Sequence, residues 1–178
     1  GIYVAGWTNG TLPGQTSSGY SDAFVRKYDA SGTEVWTRQF GAIVPVYDVA
    51  QAVNAYGNVY VAGWTNGTLP GQTSAGGYDA FVRKYDANGS EVWTRQFGTS
   101  TNDEAYGIYV DASGVYMAGW TSGTLPGQTS AGEQDAFVRK YDANGDEAWT
   151  RQFGSSTYDY AYGISVDASG VYVVGWTN

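Results

Sequence analysis

The sequence predicts an all-β fold made of about three repeats of 56 residues, each a four-stranded antiparallel sheet. The first observation behind this is periodicity. Gly-Trp-Thr recurs at Gly6, Gly63, Gly119 and Gly175, DAFVRKYDA starts at Asp22, Asp79 and Asp135, and WTRQFG starts at Trp36, Trp93 and Trp149. Residues 63–118 and 119–174 differ at only 11 of 56 positions, so one unit has been copied. The second observation is local: each copy holds four short runs rich in β-branched and aromatic residues, bounded by turn residues, with no useful helical period. The third is composition. The 178 residues are 42% hydrophobic and 16% aromatic but only 15% charged, too apolar for a disordered chain and too poor in charge for a coiled coil.

The strands, lettered A to D, are clearest in residues 105–154. AYGIYVD (105–111) is A, and Ala-Ser-Gly turns it into B, VYMAGWT (115–121). A long connection leads to C, DAFVRKYD (135–142), and Ala-Asn-Gly turns C into D, EAWTRQFG (147–154). Asp before each short turn can accept hydrogen bonds from the turn amides, and Gly supplies the positive φ. Strand D alternates: Glu91, Trp93, Arg95 and Phe97 share one face, while Val92, Thr94 and Gln96 share the other. Strands A and B are apolar or small on both faces, as buried inner strands are. Gly107 and Gly163 fall in A, where backbones crowd together. A four-stranded antiparallel unit of about 56 residues is the size of one β-propeller blade.

Composition also excludes chemistry. With no Cys and no His, disulfides, cysteine nucleophiles, Ser-His-Asp triads and the usual zinc and haem ligand sets are absent. The net charge of −8 argues against a phosphate backbone as partner. No apolar run approaches the roughly 18 residues of a membrane helix. All nine cations occupy three repeated positions, Arg26, Lys27 and Arg38 with their equivalents, so none was added singly to build a local site.

The run DEAYGIYVDASGVYMAGWT, followed by DAFVRKYDANG-E-WTRQFG, resembles the bacterial repeat family named for the seven-bladed β-propeller (SBBP), over essentially the whole chain. The strand order is similar to that of NHL-type repeats, with A nearest the axis and D at the rim. The resemblance implies an exported bacterial protein. The Gly89 to Trp93 spacing also looks like the tryptophan-docking pattern of quinoprotein propellers, without a quinone-binding set. The first unit departs from the pattern: GAIVPVYDVAQAV (41–53) stands where the next has GTSTNDEAYGIYV, and Asn58 is an extra residue, which leaves the register of the first inner strand open.

The chain reads B-C-D, then A-B-C-D twice, then A-B: a partial blade at 1–41, blades at 42–98 and 99–154, and a partial blade at 155–178. Propellers close with 4–8 blades. A three-blade arc leaves two bare faces of about 450 Å² each from strand spacing and length, together more than the roughly 300–600 Å² patch usual on a monomer. The expected partners are therefore further blades or copies of the chain.

For ligand contact the candidate is the connection between B and C, GWTNGTLPGQTSAGGYD (63–79) and its copies. Trp7, Trp64 and Trp120 end strand B, and Gln15, Gln72 and Gln128 lie in the loops. Trp faces with amide edges suit a sugar; the competing reading is that Leu69 and Pro70 tuck the loop down and Trp64 is core. Asp86-Ala-Asn88-Gly89 is too short to supply the 6–8 oxygens calcium takes, so it reads as a hairpin. Asn9, Asn66 and Asn88 match a glycosylation pattern but read as turns. The acids sit at turns in copied positions, so neither a catalytic set, a metal nor a cofactor is expected. The resulting expectation is a non-catalytic structural and interaction module, secreted or on the cell surface of a bacterium. The alternatives are a lectin-like module with one glycan site per blade, or a protomer of an extracellular filament.

Overall fold

The computed structural model describes residues 1–178 as thirteen strands and no helix. They form four antiparallel meanders. The first holds β1 (Ile2–Thr8), β2 (Asp22–Tyr28) and β3 (Glu34–Phe40). The second holds β4 (Asp48–Tyr56), β5 (Asn58–Thr65), β6 (Asp79–Tyr85) and β7 (Glu91–Phe97). The third holds β8 (Asp103–Asp111), β9 (Gly114–Thr121), β10 (Asp135–Tyr141) and β11 (Glu147–Phe153). The last is the pair β12 (Asp159–Asp167) and β13 (Gly170–Thr177). Each is a blade or part of one, with sequence neighbours paired side by side.

The core lies between blades, because each sheet is apolar on both broad faces and must hide them on its neighbours. One buried cluster joins Ala23, Val25, Trp36 and Phe40 of the first sheet to Val59, Phe81 and Tyr85 of the second. A second joins Tyr60, Ala62 and Val82 to Ile108, Met117, Phe137 and Tyr141 of the third. Leu69 and Leu125, from the loops between B and C, are fully buried in these same seams. Pro70, by contrast, stays exposed.

The outer strands hold the seams as alternation predicts. Phe97 meets Phe137 edge-on at 5.6 Å, and Trp93 meets Tyr141 at 6.5 Å, both across a blade boundary. The guanidinium of Arg95 lies 5.5 Å from the Trp93 ring and donates to Gly145 O at 2.7 Å. Arg83 is buried, with its guanidinium 4.2 Å from the Phe40 ring of the preceding blade. The Asp-Ala-Asn-Gly turns are hairpins: Asp86 Oδ1 accepts from the amides of Asn88 and Ser90 at 2.9 and 2.8 Å.

The first inner strand settles into the common register. Asp48 pairs with Thr65 just as Asp103 pairs with Thr121. The first unit therefore has a connector (41–47) two residues longer than 98–102 and an A–B turn one residue shorter, rather than a shifted strand. Both aspartates are fully buried at the strand start, and their amides bond back to the preceding loop, Asp48 to Ser21 O and Asp103 to Tyr78 O. Those contacts fix the strand, and the length difference is absorbed in the loops.

Candidate functional site

The long B–C loops and the D–A connectors share one end of the blades, stitched together across each seam. Tyr20 N donates to Val46 O at 3.0 Å, Ser122 N to Asn102 O at 2.8 Å, and Ser21–Tyr47 and Gln134–Tyr158 form parallel bridges. Loop shape is held from below by strand D. Gln96 Nε2 donates to Gly67 O at 2.8 Å and to the buried Asp79 carboxylate at 2.7 Å, while its Oε1 accepts from Leu69 N at 2.9 Å. Gln39 and Gln152 repeat this arrangement.

The loop glutamines belong to the same scaffold. Gln15, Gln72 and Gln128 each present Oε1 to the backbone amide of the strand-D glutamine, at 3.0, 3.0 and 3.1 Å. They are thus brought to the outer strand, not to the tryptophans. The tryptophans line the inner part of this end in three different settings. Trp7 is 54% exposed. Trp64 is half-buried, stacked on Tyr78 at 4.7 Å, and its Nε1 is buried without a partner. Trp120 is buried, with Tyr160 edge-on at 5.5 Å.

What distinguishes the settings is strand A. Each four-residue start of A carries a β-bulge, at Gln51, Tyr106 and Tyr162, where one residue falls outside the ladder. Bulges bend a strand and re-aim its side chains. Two residues earlier stand Val49, Glu104 and Tyr160. In the second seam Tyr106 Oη donates to Glu104 Oε2 at 2.7 Å, and burial holds the Glu104 carboxyl above its ordinary pKa. In the third, Tyr160 Oη bonds Gln134 Oε1 and its ring stacks parallel to Tyr162. In the first seam nothing fills the space: a cleft of about 290 Å³ opens among Trp7, Asn9, Ser21, Tyr47, Val49, Gln51 and Trp64.

The residues that sequence reasoning missed are Ser21, Tyr47, Val49 and Gln51. A signal for this end was present: of the 11 differences between the two near-identical copies, Asn66/Ser122, Gly77/Glu133, Tyr78/Gln134, Asn102/Tyr158 and Glu104/Tyr160 all fall here. These five positions lie close together in the fold, whereas the other six differences are spread over strands, turns and a connector. No three His, Cys, Asp or Glu side chains gather closely enough to hold a metal ion.

Comparison with known proteins adds a family. Residues 92–126 and 148–178 match the SBBP beta-propeller repeat. Each matched stretch runs from strand D across a seam into A and B of the next sheet. Over an alignment 178 positions long, the chain is 34% identical to "Regulatory protein FlaEY" of Caulobacter vibrioides, and the alignment covers 91% of this chain and 19% of that protein. The chain thus spans about a fifth of that relative's length. Sequence match and stacked sheets agree: residues 92–126 and 148–178 match the SBBP beta-propeller repeat, and they lie in an all-β stack of antiparallel sheets.

Proposed function

We propose that the chain is a non-catalytic interaction module, a run of propeller blades whose broad ends are covered by further blades or by copies of itself. One observation carries this reading: the two ends hold the unfilled halves of one contact. At each inner seam a Trp and an Arg of strand D grip the C–D turn of the next blade. Trp36 Nε1 and Arg38 Nε donate to Ala87 O and Gly89 O, and Trp93 and Arg95 do the same to Ala143 O and Gly145 O. At one end the turn at Gly32 has nothing within 4 Å of the position a Cβ would take. At the other, Trp149 and Arg151 border an open cleft of about 300 Å³ with Val138, Phe153, Val171 and Val173.

Further blades of the same kind would fill both halves; a second copy docked head to tail does so only if one of the two B strands, β1 or β13, gives way, because both ends carry that strand, and such docking repeated gives a closed ring or an open filament. Exposed Val171, Tyr172, Val173, Val174 and Trp176 at one end, and Ile2 and Val4 at the other, add apolar surface that favours burial. Export from a bacterial cell is part of the proposal and rests on the family resemblance alone; the Caulobacter relative supports only a bacterial source. The carboxylates that converge, Asp22 with Asp48, Asp79 with Asp103 and Asp135 with Asp159, are buried at strand starts and accept hydrogen bonds from loop amides and strand-D glutamines, a structural use that supports a non-catalytic role. Size-exclusion chromatography with light scattering tests the reading. Species larger than 19.0 kDa are expected at micromolar concentration, and a stable monomer there overturns it. Electron microscopy of the same material separates rings from filaments.

A further inference from the structure

The geometry points to a binding site for a neutral saccharide in the cleft of the first seam, stacked on Trp7 and held at its edges by Asn9, Ser21 and Gln51. The inference goes beyond self-association and concerns a different surface, the loop-bearing end rather than the broad faces.

Four features of the cleft converge on that ligand class. First, no charged side chain lines it, although the protein carries a net charge of −8. Its occupant is therefore selected neither for charge nor for metal binding. Second, its walls are aromatic. Trp7 and Tyr47 are 54% and 49% exposed and face one cleft together. The C–H faces of a pyranose ring are apolar and flat, and an exposed indole gives them a matching surface. Third, its polar groups are free. The side chains of Asn9 and Gln51 make no hydrogen bond within the protein, and Ser21, only 1% exposed, has an Oγ with no partner. Trp64 Nε1 is a further buried donor left without an acceptor. Buried polar groups are seldom left unpaired, and sugar hydroxyls, which both donate and accept, satisfy amides, a hydroxyl and an indole N–H together. Fourth, the size fits: about 290 Å³ is near the lower bound of small-ligand pockets, roughly 300–1,000 Å³.

The other seams explain why the site is single rather than one per blade. Tyr106 with Glu104, and Tyr160 with Tyr162, stand where the first seam has Gln51 with Val49, and Trp120 is buried beneath them. Val49 is small where the other seams carry a large residue, and β1 is an edge strand with no strand A beside Trp7 as β4 stands beside Trp64; both leave the first seam open, and the bulge supplies Gln51 to its wall.

A glycan array probed with the full chain tests the inference, followed by titration of the best glycan with tryptophan fluorescence as readout. Binding to neutral glycans is expected, weakened at least tenfold by Trp7→Ala and severalfold by Gln51→Ala. Val92→Ala, on an exposed outer strand, leaves it unchanged. Trp7 is exposed, so its variant folds, and far-UV circular dichroism checks this. Three results overturn the inference: no binding above background at high protein density, binding to anionic glycans alone, or neutral binding indifferent to both Trp7→Ala and Gln51→Ala. Light scattering on the same sample reads self-association separately, so failure of the cleft and failure of the interaction-module reading are distinguishable.

Discussion

Trp93 of one blade lies across Gly145 of the next, so close that a Cβ on that glycine would stand 2.9 Å from indole Cδ2. Trp36 and Gly89 repeat the relationship at 2.8 Å. The Gly–Trp pairing legible in the sequence is thus made between blades: Gly89 does not serve Trp93 of its own strand pair but receives Trp36 from the preceding one. Gly145 and Gly32 share the same left-handed φ of +83°, yet only Gly145 is covered. Gly32→Ala is therefore expected to cost only the backbone strain, about 1–2 kcal/mol. Gly145→Ala adds overpacking of about 1–3 kcal/mol. Denaturant unfolding at low protein concentration reads the difference. Equal losses at the two positions would mean that the indole contact does not constrain the turn.

The same asymmetry separates the tryptophans. Trp93 packs on Tyr60 and Tyr141 and bonds Ala143 O, so Trp93→Ala is expected to cost about 3–5 kcal/mol, as large aromatic truncations do. Trp149 touches Tyr116 within its own sheet but has no following turn to grip. Trp149→Ala is expected to lower monomer stability by about 1 kcal/mol or less and to weaken self-association at least tenfold. Analytical ultracentrifugation across a concentration series measures the second effect. Unchanged association would remove Trp149 from the interface.

Gln96 and Gln72 test the loop scaffold. Gln96→Ala leaves Leu69 N and the buried Asp79 carboxylate short of a partner, an expected cost of about 2–3 kcal/mol. Gln72→Ala removes one acceptor from Gln96 N, an expected cost of about 1 kcal/mol. Hydrogen exchange at the Leu69 amide should speed up more in the first variant than in the second. The reverse order would place the loop's anchor elsewhere.

These glutamines also show where sequence reading succeeds. Strands and turns were legible because they are set locally: Asp86 reaches its own turn amides, and alternation alone assigns Trp93 and Phe97 to one face. The register of β4 was not, because it is fixed by Asp48 bonding to Ser21, a residue 27 positions away in another blade. In the candidate site, Trp7 and Trp64 were legible as strand ends. The role of Gln72 was not, since an amide in a loop reads the same whether it faces a ligand or its own strand. The cleft itself arises from what is missing, a small Val49 where other copies have Glu104 and Tyr160, and only the packed seams reveal that space.

Glu104 gives a pH-dependent test of this end. It is 7% exposed, forms no ion pair and accepts one side-chain hydrogen bond, from Tyr106. Burial raises its pKa above the ordinary carboxyl value, and the Tyr106 bond offsets only part of that. The folded state thus binds this proton more tightly than the unfolded chain does. Stability from this group is highest below the unfolded pKa, falls as pH rises through the window between the two values, and is flat above it. Glu104→Gln keeps an acceptor for Tyr106 and removes the buried charge. The variant is expected to be more stable than the parent at pH 8, with the gain shrinking toward pH 4. Asp48 and Asp103, also raised by burial, titrate in both proteins and cancel in the comparison. Thermal midpoints for the pair at the two pH values measure it. A gain of equal size at both, or a Gln variant that is weaker at pH 8, would show that the Glu104 carboxylate is better solvated than its surroundings imply.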